Sequence, residues 1–198
     1  MLEVLRQPLE DRRVNISRAR ATYSFPSQFM LIAAMNPCPC GYLGAESEQQ
    51  PCTCSPLKII QYRSKISGPL LDRIDLHIEV PKPAFAQLSH HSDNLSSEKM
   101  LEQVLMAKQR QLSRYQGTGI QTNSELSGKL LRRICRLTPE GSRLMEASFE
   151  SLGLSARAHD RILRLALTVA DMDQSEQIMP QHVAEAIQYR NLDKKQSM

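Results

Sequence analysis

Cys38 and Cys40 are separated by one residue, Cys52 and Cys54 likewise, and eleven residues lie between the two pairs. Four thiolates converging from two short arms suit tetrahedral metal coordination, and structural zinc is the expectation. An iron–sulfur cluster or two disulfides are the competing readings, because a C-x-C spacing is less diagnostic than C-x-x-C. Directly before the first pair stands Asn36, after the unbroken apolar run Phe29-Met30-Leu31-Ile32-Ala33-Ala34-Met35. That run predicts a strand buried on both faces. A carboxamide at the carboxyl end of such a strand can position a water or a phosphate oxygen; an Asn-Pro turn is the plainer alternative.

Three further sets of cations belong beside these groups. Arg73, in Ser67-Gly68-Pro69-Leu70-Leu71-Asp72-Arg73-Ile74-Asp75, stands where a short helix would meet a strand, a rigid place from which a guanidinium points at a neighbour, Asp72 or Asp75 being the simplest. Arg157 falls in the first turn of a helix capped by Ser155, where the helix dipole disfavours a cation. Either Asp160 neutralises it, or it meets an anion at that helix end. Arg12, Arg13, Arg18 and Arg20 surround Val14–Ser17 and Thr22–Phe25, two alternating stretches that predict a hairpin with a basic tip. Such a tip suits a phosphate backbone, and equally a solvated edge whose charges discourage strand pairing.

The elements that must position these residues change character along the chain. Leu2, Leu5 and Leu9 mark an initial helix. Glycines and prolines make 38–54 a loop. Pro69 suits the first turn of a short helix, and Ile74, Leu76, Ile78 and Val80 alternate with Asp75, His77 and Glu79 as a strand with His77 on its polar face. His90 and His91 lie in a polar loop and are expected to be solvated. From about Glu98 to Tyr115 a helix is predicted with Leu101, Val104, Leu105, Leu112 and Tyr115 inward. Short helices follow: Leu126, Leu130, Leu131 and Ile134 on one face with Cys135 in the core; another from Thr138-Pro139 to Gly153; one with Ala158, Ile162, Leu165, Ala166 and Val169 inward; and a last one from Pro180 burying Val183, Ala184 and Ile187.

The expected class is therefore α/β followed by all-α: 1–82 as an α/β part, 83–122 as linker and long helix, 123–198 as a helical part. With 198 residues there is room for one good core, or a small domain with a helical appendage. No segment has the length of a membrane span or the layout of a signal peptide. A soluble, cytoplasmic protein with five reduced cysteines is expected. The net charge of +4 permits contact with polyanions without demanding it.

Taken together, Asn36 after an apolar run, the paired cysteines, the Ser67–Asp75 segment and Leu154-Ser155-Ala156-Arg157 resemble the magnesium-chelatase-like AAA+ ATPases, in particular the ComM/YifB competence-protein branch. Leu5–Glu10 is similar to the helix after the Walker B strand in that family, and 14–23 to the hairpin preceding sensor 1. The resemblance implies the end of a mostly parallel P-loop ATPase sheet with a zinc-type loop insert, followed by a helical lid. It implies Asn36 as sensor 1, Arg73 as the arginine finger, Arg157 as the nucleotide-contacting sensor 2 residue, and Arg18 and Arg20 as contacts to DNA. ATP and Mg²⁺ are the implied cofactors, beside structural Zn²⁺. A homo-oligomeric ring, typically a hexamer, is the implied assembly, with no membrane partner.

One departure matters. No glycine-rich phosphate loop with Lys-Ser/Thr and no apolar strand ending in Asp-Glu occurs; Ser127-Gly128-Lys129 lacks the upstream glycine. The expectation is the C-terminal part of a longer ATPase, a helicase or branch-migration motor acting on DNA, inactive as this piece alone, with a front half lacking some of its apolar cover. Competing readings are the ATPase subunit of a magnesium chelatase and a non-catalytic zinc-bearing nucleic-acid-binding module.

Overall fold

The computed structural model describes residues 2–44, 50–83 and 95–190. It divides into two compact units: 1–74 with 79–88, and 75–78 with 89–198.

The first unit opens with a 3₁₀ turn, Leu2–Leu5, that runs into helix α1, Arg6–Asp11. Arg12 ends α1 in the left-handed conformation (φ 54°), its N–H donating to the Pro8 carbonyl at 3.1 Å. The chain then forms the antiparallel hairpin β1, Arg13–Arg18, and β2, Ala21–Pro26, in the register Val14↔Phe25, Ile16↔Tyr23, Arg18↔Ala21. Ser27 N–H to the Arg12 carbonyl, at 2.8 Å, closes its base. Side-chain alternation puts Val14, Ile16, Tyr23 and Phe25 on one face of the ribbon and Asn15, Ser17, Thr22 and Ser24 on the other. After the cysteine loop come α2, Pro56–Arg63, and the single turn α3, Gly68–Leu71. Both begin as their sequences direct, with a serine cap and proline in the first turn: Ser55 Oγ accepts from Lys58 N at 3.4 Å and Ser67 Oγ from Leu70 N at 3.3 Å.

The second unit carries the apolar core. Its helices are α4, Ser97–Arg114; α5, Gly128–Ile134; α6, Pro139–Leu152; α7, Ala156–Met172; and α8, Pro180–Gln188, with a 3₁₀ turn at Asn123–Glu125. Thr138 caps α6 by accepting from Gly141 N at 3.2 Å, and Gly153 stops it in the left-handed region (φ 59°). Ser155 Oγ caps α7 by accepting from Ala158 N at 3.1 Å. Ile162, Leu163, Ala166, Leu167 and Ala170 of α7 pack with Tyr115, Leu126, Leu131, Cys135, Met145, Ile178 and Val183 in one cluster. Cys135 is a core residue, as its position on the apolar side of α5 predicts, and burial pushes its thiol up to about 12. No described helix is long and apolar enough to cross a membrane.

Three expectations are corrected. Phe29–Met35 is irregular and not a strand, with Met30 84% and Ile32 87% exposed. A strand exists by pairing, and the described residues form only the two-stranded sheet β1-β2. Ile74–Val80 is likewise irregular, and its facing is reversed: Leu76, Ile78 and Val80 are exposed while His77 is buried, its N–H donating to the Tyr189 carbonyl at 2.8 Å. In α4 the aliphatic stripe points outward. Leu101, Val104, Leu105 and Leu112 are exposed, and the buried positions are Ala107 and Gln111, continued by Tyr115 just past the helix end. The buried face of α4 is met by α7, where Arg114 finds the Asp171 carboxylate. His90 and His91 lie outside the described residues, as do part of the 83–122 stretch and the 191–198 tail.

Candidate functional site

The cysteine loop begins where prolines restrict the chain. Pro37 and Pro39 confine the residues before them, Asn36 and Cys38, to extended conformations. Gly41 then takes φ +86°, which an L side chain rarely adopts, and its N–H donates to the Cys38 carbonyl at 3.1 Å. This turn brings Cys38 and Cys40 Sγ to 3.3 Å, and the returning arm places Cys52 Sγ 3.8 Å from Cys38 and 3.6 Å from Cys40. With Cys54, all four sulfurs lie within 4.8 Å of one another. Sulfurs at the corners of a tetrahedron around zinc, with Zn–S about 2.3 Å, stand about 3.8 Å apart. The gathered thiols fit a metal of that preference.

Their acidities are driven apart. The Tyr42 backbone N–H and the Cys38 thiol bring Cys40 down to about 6. At Cys52 the Cys54 N–H favours the thiolate, but burial and the neighbouring sulfurs of Cys40 and Cys38 outweigh it and push the group up to about 12. Four sulfurs this close do not all ionise without a cation among them, and a bound divalent ion supplies that charge. The arm that ends at Cys54 passes through the Ser55 cap into α2, whose last residue, Arg63, donates from Nε to the Pro37 carbonyl at 3.2 Å.

Asn36 is exposed, and its Nδ2 lies 3.9 Å from where a Cβ on Gly41 would stand. The carboxamide therefore rests against the cysteine turn, following an irregular segment where a buried strand was expected. Arg73, on the turn after α3, donates to the Glu10 carboxylate and, at 2.6 Å, to the Pro69 carbonyl. Glu10, Arg6 and Glu3 line an open groove with it. Of the two carboxylates expected near it, Asp75 pairs with Arg161. Arg157 belongs to the second unit and is exposed in the first turn of α7; the nearby Asp160 carboxylate is 3.2 Å from His159 Nδ1. Arg18 and Arg20 flank the hairpin tip and are exposed.

Glu10 and Arg63 carry no motif that sequence reading could have used. The largest omission is a buried polar cluster in the second unit. Asp171, fully buried, accepts two hydrogen bonds from Arg114, that from Nη1 at 2.8 Å, and one from Asn123 Nδ2 at 2.9 Å. Tyr115 Oη donates to Asn123 Oδ1 at 2.6 Å, and Gln111 Oε1 accepts from Asn123 N at 3.1 Å. Asp171 raises the Arg114 pKa further. A signal was present: Asp171 lies four residues after Leu167, on the apolar face of α7, where a carboxylate demands a buried partner.

Two family models together match nearly the whole chain: "Magnesium chelatase, subunit ChlI" over residues 1–88 and "Magnesium chelatase, subunit ChlI C-terminal" over 94–190. Competence protein ComM of Haemophilus influenzae is 40% identical over 192 residues, covering 96% of this chain and 36% of that protein. The protein YifB of Salmonella typhimurium is 38% identical and that of Escherichia coli 37%, each over 194 residues, 98% of this chain and 37% of theirs. The chain thus spans just over a third of the length of the curated relatives it matches. An α/β stretch ahead of a helical one, a four-cysteine loop, and agreement with both family models and these relatives together show that the chain belongs to the magnesium-chelatase-like family.

Proposed function

We propose that the chain is the sensor, arginine-finger and lid portion of an ATP-hydrolysing AAA+ ring motor that acts on DNA, with a structural zinc in its cysteine loop. The observation that carries the DNA reading is the hairpin. Both its strands are solvent-exposed, it holds Arg13, Arg18 and Arg20, and residues 12–45 contain no aspartate or glutamate. An acid-free basic ribbon suits a polyanion, and the Haemophilus relative is named a competence protein.

Hydrolysis of a nucleotide needs positioning and charge stabilisation more than covalent chemistry. In this reading the exposed Asn36 carboxamide orients the attacking water. Arg73, released from Glu10, and Arg157 meet the charge that develops on the transferred phosphoryl group. A finger arginine serves the nucleotide of a neighbouring copy, hence the ring, a hexamer in this reading. ATP with Mg²⁺ supplies the phosphoryl group when bound; the phosphate-loop residues that would cradle it are not among these 198. The cysteine sulfurs would hold Zn²⁺, which cross-links the two arms and takes no part in the reaction.

The test is oligonucleotide binding followed by fluorescence anisotropy across a salt series. The chain is expected to bind with salt-sensitive affinity, and Arg18→Ala/Arg20→Ala is expected to reduce the slope of log K against log salt by about 2. No binding, or an unchanged slope, defeats the hairpin assignment. A second reading, the ATPase subunit of a magnesium chelatase, is favoured by the description of the matching family models. It predicts the absence of DNA binding.

A further inference from the structure

The residues around Asn36 are tied in a closed circuit. Asn36 precedes a proline, so its backbone is confined; the Pro37 carbonyl accepts from Arg63 Nε at 3.2 Å; and the next residue is the fully buried Cys38. Gly41 turns the chain back until the Asn36 amide stands against it. From the other arm, Cys52 and Cys54 lead through Ser55 into α2, and α2 ends on Arg63. The two arms are thus joined at two places, at the sulfurs and at the Arg63–Pro37 hydrogen bond. Little apolar packing is available to replace either tie: in the first unit Pro8, Cys38 and Leu70 are the buried positions among the described residues.

We infer that the four-cysteine loop and Arg63 together form a positioning device for the Asn36 carboxamide, so that metal occupancy sets where that carboxamide points. The inference rests on the reading of the cysteine cluster as a metal site. Without a metal, only weak thiol contacts join the two arms at the sulfurs, Cys52 Sγ standing 3.8 Å from Cys38 and 3.6 Å from Cys40, and the turn at Gly41 is loosely held on that side. With it, Cys38 is fixed two residues from Asn36, and Arg63 fixes the residue between them. Arg63 acts here as a hydrogen-bond donor at Nε, a demand that glutamine meets, since its Nε2 occupies the corresponding place on the side chain. Methionine has similar reach and no donor.

The experiment uses the 198-residue chain labelled with ¹⁵N, with the Asn36 side-chain amide assigned by its loss in Asn36→Ala. Zinc content is measured on the same samples. With about one Zn²⁺ per chain, one Asn36 Nδ2 amide pair is expected. It should shift and broaden when a chelator removes the metal and return when Zn²⁺ is added back, while the amides of α7 and α8 stay in place. Arg63→Met, still loaded with zinc, should move the same pair, and Arg63→Gln should leave it as in the native chain. If zinc binds and leaves on schedule while the Asn36 pair does not respond, or if the methionine and glutamine variants behave alike, the positioning role is overturned. If no zinc binds at all, the metal reading beneath it fails instead, which the zinc measurement reports separately.

Discussion

The two units spend their residues on different kinds of order. The helical unit buries Tyr115, Leu126, Leu131, Ile162, Ile178 and Val183 almost completely in one cluster, and each large apolar side chain taken from water contributes about 1.5–3 kcal/mol. The first unit is held by discrete polar ties instead. Arg73 is bound to Glu10 and Arg63 to Pro37, and a Ser67 hydrogen bond holds the Glu3 carboxyl below its usual range. Four sulfurs complete the set. A hydrogen bond such as that from Arg63 to the Pro37 carbonyl is worth about 1 kcal/mol and specifies geometry without supplying much stability, whereas the sulfurs hold the loop firmly only through a bound metal. Meanwhile Phe29, Met30, Ile32 and Met35 stand exposed in the same unit. Precise placement of Asn36 and Arg73 is therefore bought with directional bonds, whereas the unit that carries Arg157 has a core of its own.

The largest effect that would sharpen this contrast is loss of the metal. Cys38→Ser/Cys40→Ser leaves two sulfurs, too few for a tetrahedral thiolate site. It is expected to abolish metal content and to collapse the chemical-shift dispersion of the first unit's amide resonances, with the thermal transition of the helical unit unmoved. Metal analysis and melting followed by circular dichroism check it. A helical transition that falls with the metal would show that the two units do not differ as described.

Next in size is the buried ion cluster. Asp171→Ala removes the acceptor of Arg114 and Asn123 and leaves a guanidinium on a buried face. Breaking one side of such a pair costs about 3–5 kcal/mol. Urea denaturation should show that loss in the helical unit, while zinc content stays at the native level. A loss under 1 kcal/mol would mean that Arg114 turns out to water and that apolar packing alone holds α4 to α7.

How much of this was legible in the sequence follows the same division. Caps and stops are local events, and Thr138-Pro139, Gly153, Ser155 and Ser67-Gly68-Pro69 act as their chemistry directs. The hairpin was legible because its two strands are neighbours in sequence and pair with each other. Strands at Phe29–Met35 and Ile74–Val80 failed because pairing partners are not a local property. For α4 the aliphatic count misled: Leu101, Val104 and Leu105 make the stronger stripe, yet Gln111, Arg114 and Tyr115 find Asn123 and Asp171, with Ala107 buried on the same side. A polar face that satisfies itself outcompetes an apolar one when the partner helix offers a buried carboxylate. The cysteine loop was legible from spacing. Arg63 was not, because a side chain returning to the Pro37 carbonyl across 26 residues leaves no periodic trace.

The smallest expected effect concerns pH. His182 Nδ1 accepts from Met179 N–H at 3.0 Å, so the ring proton stands on Nε2, 3.0 Å from the Asp173 carboxylate. The hydrogen bond from His182 holds the Asp173 carboxyl below its ordinary value of 3.8. A carboxyl lowered on folding stabilises the folded chain above its unfolded pKa and loses that contribution as pH falls through the folded value. The native helical unit should therefore lose a small increment of stability below about pH 4, and Asp173→Asn, which cannot ionise, should remove that increment at neutral pH and flatten the acid limb. Carboxyl titration by NMR gives the direct check, with an Asp173 midpoint under 3.8 in the native chain. An unperturbed midpoint would reduce this contact to a surface hydrogen bond on the rim of α8, and the helical unit's dependence on its buried apolar cluster would then be still more complete.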